Sequence, residues 1–286
     1  MSESNKDNSP PIVHIEGLSG SLEAIVVSEL FLTTQRNILV VVSSIPRSEE
    51  MVDDLSVILG SDRVAFLPSS AHFLSVPVPS SPEYRNEKSD TLMRLAKKES
   101  FILVTVWDTL SDQFPSMEWL SHNLFTLRVG IEYPREQLVT SLVKAGYSRH
   151  LTVEVQGEFA LRGGLVDLFP YGLEFPLRLE FDGDRLIDLR QFDPLTQRSL
   201  RKLTSVSFLL GLFSTPSPNT LFYLLDPHTI VYWSDLWEIG SRWREYERNG
   251  VKLTSESGVD LNKESEEALS FFNPSEIWKD AGSFST

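Results

Sequence analysis

The sequence predicts an α/β protein in three parts: a lobe built on a parallel sheet (12–129), an inserted small α+β domain (130–207) and a further mixed α/β lobe (208–286). Residues 1–11 precede them as a polar tail read as disordered. Three observations predict this. Strand-like and helix-like segments alternate up to about Leu127, the order that builds βαβ units. Two of the strands, 38–42 and 101–106, are unbroken β-branched and apolar runs, as in a sheet covered on both faces. Past residue 130 the pattern turns to period-two alternation, and past 208 helical spacing returns with short strands between.

Each element has a local reason. Ile12-Val13-His14-Ile15 reads as a short apolar strand and 21–34 as a helix. Ser48 can cap a second helix, with Glu49 and Glu50 in its first turn and Met51, Val52, Leu55, Ile58 and Leu59 at helical spacing. Arg63 to Leu67 is a further strand, 68–82 a Pro- and Ser-rich loop, and 83–98 a charged helix. Pro134 opens a helix striped by Leu138, Val139, Leu142 and Val143, and Gly146 ends it. Leu151, Val153 and Val155 alternate with polar residues, as do Leu177, Leu179 and Phe181. Asp182-Gly183-Asp184 before Arg185–Phe192 is a hairpin signal. Asn219 can cap a helix through Leu225, Ile230–Trp233 is a short strand, Ser234 can cap a helix to about Asn249, and 263–272 is weakly amphipathic.

Composition bounds the function. The chain has 286 residues, 41% hydrophobic and 23% charged, enough to bury a core. It has no cysteine, which excludes disulfides, zinc thiolates, iron–sulfur clusters and thiol nucleophiles, and fits a reducing, cytoplasmic location. It has no apolar run long enough to span a membrane and no signal-peptide pattern at its N-terminus. The net charge of −14 argues against direct grip on DNA phosphates and suits a basic protein partner.

The segment Gly17-Leu18-Ser19-Gly20-Ser21-Leu22-Glu23-Ala24 has the setting of a phosphate-binding loop, a glycine-rich turn between strand and helix. Against G-x-x-x-x-G-K-[ST], Gly17 matches and Gly20 lies within the turn. Leu22 replaces the second glycine, Glu23 the lysine and Ala24 the hydroxyl residue. Glu23 would exchange roughly 4 kcal/mol of attraction to a phosphate for similar repulsion at about 4 Å and an effective dielectric near 20. Ala24 cannot ligate magnesium. The segment is either a decayed nucleotide loop or simply a turn that needs glycines, and both disfavour tight ATP binding. The five histidines are scattered without metal-ligand spacing, no nucleophile elbow is present, and acidic pairs such as Asp53-Asp54 suit solvated helix faces. No catalytic residue, metal or cofactor is expected.

The most informative stretch is 146–199. It carries Gly146-Tyr147 with Arg149, Gly157-Glu158-Phe159-Ala160-x-Arg162-Gly163-Gly164, Asp167-x-Phe169-Pro170, Pro176-x-Arg178-x-Glu180-x-x-x-Asp184, and Phe192-Asp193 followed by Gln197-Arg198-Ser199. This stretch resembles the UvrA-interaction module shared by the excision-repair protein UvrB and the transcription-repair coupling factors (Mfd). Residues 12–250 are similar in order to the N-terminal, UvrB-like part of the coupling factors: a degenerate RecA-type, P-loop-like half, the inserted module and a second lobe. The Gln-Arg-Ser ending is more similar to the coupling factors, and the tyrosine-rich hairpin of UvrB has no counterpart in 68–82, with only Tyr84 nearby. The chain stops before anything like a polymerase-binding domain or translocase motor, so neither activity is assigned to these residues.

The resemblance implies a non-catalytic recruitment module that binds UvrA by mimicking UvrB, through Arg149, Arg162, Phe169, Arg178 and Glu180. Other domains of a full-length coupling factor are further partners it implies. Alternation places Arg178 and Glu180 on the outward face of one strand, away from Leu177, Leu179 and Phe181. Arg178 and Glu180 also admit a plainer role as neighbours in a surface ion pair, and Phe169 a plainer role in the core. Ala160 stands where some UvrB sequences carry an additional arginine. The alternatives are an ATP-dependent UvrB-like helicase subunit and a structural or autoinhibitory lobe of a longer translocase.

Overall fold

A computed structural model describes residues 13, 15, 17–69, 82–210 and 219–248. Helix α1 (Leu22–Thr34) leads into strand β1 (Ile38–Val42), helix α2 (Ile45–Leu59), strand β2 (Val64–Leu67), helix α3 (Pro82–Ala96) and strand β3 (Ile102–Val106). Every residue of β1 and β3 is buried, as expected for the centre of a parallel sheet. Alternation within β1 sorts its side chains onto two cores. Ile38, Val40 and Val42 meet Ala24, Val27 and Phe31 of α1 and Met51 and Leu55 of α2. Leu39 and Val41 meet Leu92, Met93 and Leu95 of α3 on the opposite face. The lobe is a parallel sheet with helices on both sides.

Helix α4 (Met117–Asn123) starts from a side-chain cap, Ser116 Oγ accepting from the Trp119 amide at 3.1 Å. Strand β4 (Leu124–Arg128) then carries the chain into a second layer. There, helix α5 (Arg135–Lys144) is followed by β5 (Ser148–Arg149), β6 (Glu158–Arg162), β7 (Leu165–Leu168), β8 (Leu177–Asp182), β9 (Arg185–Phe192) and β10 (Ser199–Lys202). These six strands form a sheet in the order β10-β9-β8-β7-β6-β5, antiparallel except for the β5–β6 pair. The predicted hairpin is present, Asp182 pairing with Arg185 around Gly183 at φ +61°. Strand β11 (Ser205–Leu209) brings the chain back antiparallel to β4. This two-stranded stalk spans both cores: Leu209 packs with the first lobe, Phe208 and Leu127 with the second.

Six expectations need correction. Val13 and Ile15 are exposed and in no strand, while residues 12 and 14 lie outside the described ones. The edge of the parallel sheet beside β1 is instead taken by strand β12 (Ile230–Trp233), paired in register from Ile38–Ile230 to Val41–Trp233. The described strand of the expected further lobe therefore belongs to the first sheet, because a strand's partner is not written in its own residues. Helix α2 begins at Ile45 with Pro46 in its first turn, and Ser48 lies inside it, fully buried, donating to the Ile45 carbonyl. Residues 221–224 form a short 3-10 turn rather than a helix capped by Asn219. Helix α6 (Leu236–Arg248) is started by Asp235, which accepts from the Glu238 amide, rather than by Ser234. Finally, 151–155 is not a strand: the Glu158 carboxylate takes the amides of Glu154 and Val155 at 2.8 and 3.1 Å, which removes them from any ladder. The helix expected at 263–272 and most of the 68–82 loop fall outside the described residues.

Candidate partner-binding face

The six-stranded sheet has two unlike faces. Leu161, Val166, Leu179 and Leu189 stand in register toward α5, where they pack with Leu138, Leu142 and Phe159. The residues between them form the other face. Ala160, Asp167, Arg178, Arg190 and Lys202 follow one another across β6, β7, β8, β9 and β10, and Arg162, Leu165, Glu180 and Asp188 make the next row.

Part of that outer face is covered. Val153, Ala160, Phe169 and Phe192 form a small buried cluster of their own. The loop carrying Val153 is tied to the turn after β9 by Gln197, whose Nε2 donates to the Val153 carbonyl at 3.1 Å. Asp193 fixes that turn by accepting from the Leu195 and Thr196 amides at 2.9 and 2.7 Å, which hold its carboxyl below the usual range, Thr196 most strongly.

Beside the cluster lies a charged constellation. Asp167 is 1% exposed. Its two oxygens accept from Arg178 Nε at 2.7 Å and Nη2 at 2.9 Å, a bidentate pair, and from Arg162 Nη2 at 2.5 Å. Arg178 also donates through Nη1 to the Gln197 carbonyl at 3.2 Å and stacks on the Phe192 ring at 4.5 Å. The hydrogen bond to Asp167 raises the pKa of Arg178 further. A second group follows: Arg190 bridges Glu180 at 3.0 Å and Asp188 at 2.5 Å, and Lys202 reaches Asp188 at 3.0 Å. Burial pushes the Asp188 carboxyl up, but Lys202 and Arg190 together pull it below its ordinary value.

The expected site residues do not all meet here. Arg162, Arg178 and Glu180 share the outer face. Arg162 is half-exposed and Glu180 accessible, whereas the Arg178 side chain keeps only 17% of its surface and three of its nitrogens are engaged internally. Arg149 is exposed but pairs in register with Phe159, which puts it on the α5 side of the edge strand, away from the other three. Phe169 is 4% exposed and belongs to the cluster under the loop, so it is no surface anchor. Ala160 packs in the same cluster, which leaves no room there for an arginine while the loop is closed. Asp167 was not among the expected site residues. Its signal in the sequence is an acid directly opposite Arg178, and that appears only once the β7–β8 register is known.

The glycine-rich turn lies elsewhere, at the start of α1. Gly17, Gly20 and Leu22 are exposed; Glu23 and Ala24 are buried. The Glu23 carboxylate is paired with Arg47 of α2 and accepts from Tyr232 and Ser234 at 3.0 Å each. Burial, and then Glu23, push the Tyr232 phenol well above its ordinary pKa. The acid at the lysine position is thus consumed by internal partners. Among the described residues, no group of three metal-ligating side chains comes together and no helix is long and apolar enough to cross a membrane.

Comparison with known proteins bears on the six-stranded sheet. Residues 125–209, from β4 through β11, match the family model of the UvrB interaction domain. This segment is similar to the UvrB interaction domain. The match runs from the outgoing to the returning strand of the stalk, so it takes in the stalk as well as the six-stranded sheet. Curated relatives extend the similarity beyond it. A transcription-repair-coupling factor of Bacillus subtilis is 30% identical over 193 residues, 68% of this chain and 16% of the relative. Those of Staphylococcus aureus strain RF122 and Staphylococcus haemolyticus are each 28% identical, over 67% and 68% of this chain and 16% of theirs. The matched stretch thus covers about a sixth of the relatives' own length, and it includes residues outside 125–209.

Proposed function

We propose that this chain is a non-catalytic recruitment module of transcription-coupled nucleotide excision repair, binding UvrA with the outer face of its UvrB interaction domain. The observation that supports it best is the coincidence of the family match with an accessible, oriented set of charges: Arg162, Glu180, Arg190 and Lys202 on one sheet face. Such a face recognises carboxylates and arginines on a partner and speeds encounter at low salt. An interface of ordinary size, about 800 Å² per partner, would cover most of it. The internal consumption of Glu23 argues against the competing ATP-dependent reading, because the phosphate position already holds an acid with its own cation.

Binding of the purified chain to purified UvrA, followed at several salt concentrations, tests this. A complex that weakens with salt and is displaced by UvrB is expected. A folded chain that forms no complex with UvrA even at low salt defeats the proposal, and saturable micromolar ATP binding would favour the helicase reading instead.

A further inference from the structure

The outer face holds an acid that no partner can reach. Asp167 is almost wholly buried, yet two arginines converge on it from β6 and β8. Arg178 is fully committed in geometry: Nε and Nη2 to Asp167, Nη1 to the Gln197 carbonyl, and its plane against Phe192. Arg162 is different. It spends only Nη2 on Asp167 and leaves about half its side chain in solvent, so Nε and Nη1 remain on the outside of a guanidinium whose orientation is already set. Two cations on one carboxylate also leave the group one positive charge in excess at the surface.

We propose that Asp167 is a positioning residue for partner binding, acting through Arg162, with Arg178 as the brace that holds Asp167 in place. A fork fixed in advance loses less freedom when a partner carboxylate docks on it than a free arginine does. The inference rests on the proposed UvrA-binding face and specifies which donor on it is prepared and how.

The test separates positioning from charge because the two differ in sign. Asp167→Asn removes an acid from a cationic face; charge alone then predicts tighter binding to an acidic docking site. Positioning predicts about 30-fold weaker UvrA binding or worse, mostly as faster dissociation. The same variant should shift and broaden the Nε–H nuclear magnetic resonance signals of Arg162 and Arg178 while the backbone spectrum of the sheet stays folded. Asp167→Asn binding as well as or better than the parent overturns the proposal, as do unchanged arginine signals. Should Asp167→Asn fail to fold, Arg162→Lys decides: it keeps the charge but loses the fork, so it should bind as weakly as Arg162→Ala, and parent-like binding overturns the proposal. If the parent itself does not bind UvrA, the functional reading fails, and the arginine signals still decide whether Asp167 orients Arg162.

Discussion

The Tyr232 hydroxyl donates to the Glu23 carboxylate at 3.0 Å, joining residues 209 positions apart. Ser234 donates to the same carboxylate and Arg47 pairs with it, so one acid ties α1, α2 and the returning strand β12 together. Glu23→Ala should lower stability by about 1–3 kcal/mol, since it strands a partly buried arginine and two hydroxyls. Urea unfolding should show a lower midpoint with an unchanged slope; an unchanged midpoint would sink the assignment. Glu23→Gln should bring the Tyr232 phenol down toward the ordinary tyrosine range in an ultraviolet titration. Glu23→Lys, which restores the lysine of a phosphate loop, should melt lower still and gain no shift from magnesium–ATP, because it sets a cation against Arg47.

Arg178 and Arg162 contact the same carboxylate but should differ in weight. Arg178→Ala removes the bidentate partner of an acid that has almost no access to water, at a cost of about 2–4 kcal/mol. Arg162→Ala removes a half-exposed pair worth up to about 1 kcal/mol. Thermal melts of both variants check the order; equal losses would mean that the two arginines share the load. A binding defect in an Arg178 variant therefore carries a folding component, and Arg162 is the cleaner probe of the surface.

How much of this was legible in the sequence depends on how local the cause is. β1 and β3 were legible because burial on both faces writes an unbroken apolar run. The outward placement of Arg178 and Glu180 followed from alternation with Leu177, Leu179 and Phe181. The 151–155 alternation misled because a side chain three residues on, that of Glu158, consumed the strand's amides. The apolar run of β12 marks it as a strand, but its place beside β1 depends on a partner about 190 residues away. Asp167 looked like one landmark among many until pairing set it opposite Arg178.

The turn at Gly172 joins the two layers. Its amide donates to Asn86 Oδ1 of α3 at 2.8 Å, its φ is +80°, and an added Cβ would lie 2.9 Å from the Asp90 nitrogen. Strain and backbone overlap coincide there, and neither neighbour can rotate away. Gly172→Ala should cost about 1–3 kcal/mol. Hydrogen exchange should localise the loosening to the start of α3 and the β7–β8 connection. Protection lost only elsewhere would show that this contact does not couple the layers.

Phe169 supplies a test of core against anchor. It packs with Val153, Ala160 and Phe192 under the closed loop. Phe169→Ala should destabilise by about 3–5 kcal/mol. Phe169→Leu should keep most of the stability and all of the partner affinity, because the ring meets the loop and not the partner. Affinity lost in a stably folded Phe169→Leu variant would return the residue to the interface.

Asp193 gives the loop beside the face a dependence on pH. Its carboxyl accepts from the Thr196 and Leu195 amides and therefore has a folded pKa below its ordinary value of 3.8. A carboxyl depressed in this way contributes its stabilisation in full above the unfolded value. The contribution fades as pH falls below about 3.8 and is gone once the folded carboxyl is protonated. Because Gln197 ties this turn to Val153, acid should release both loops together. The amide signals of Leu195 and Thr196 should move and exchange faster through that window, with the Val153 region following, while the β8–β9 ladder stays protected. Asp193→Asn should remove the acid dependence and leave a turn of nearly constant, weaker order. Titration of these amides at the ordinary carboxyl value in the parent would show that the turn is not held by Asp193.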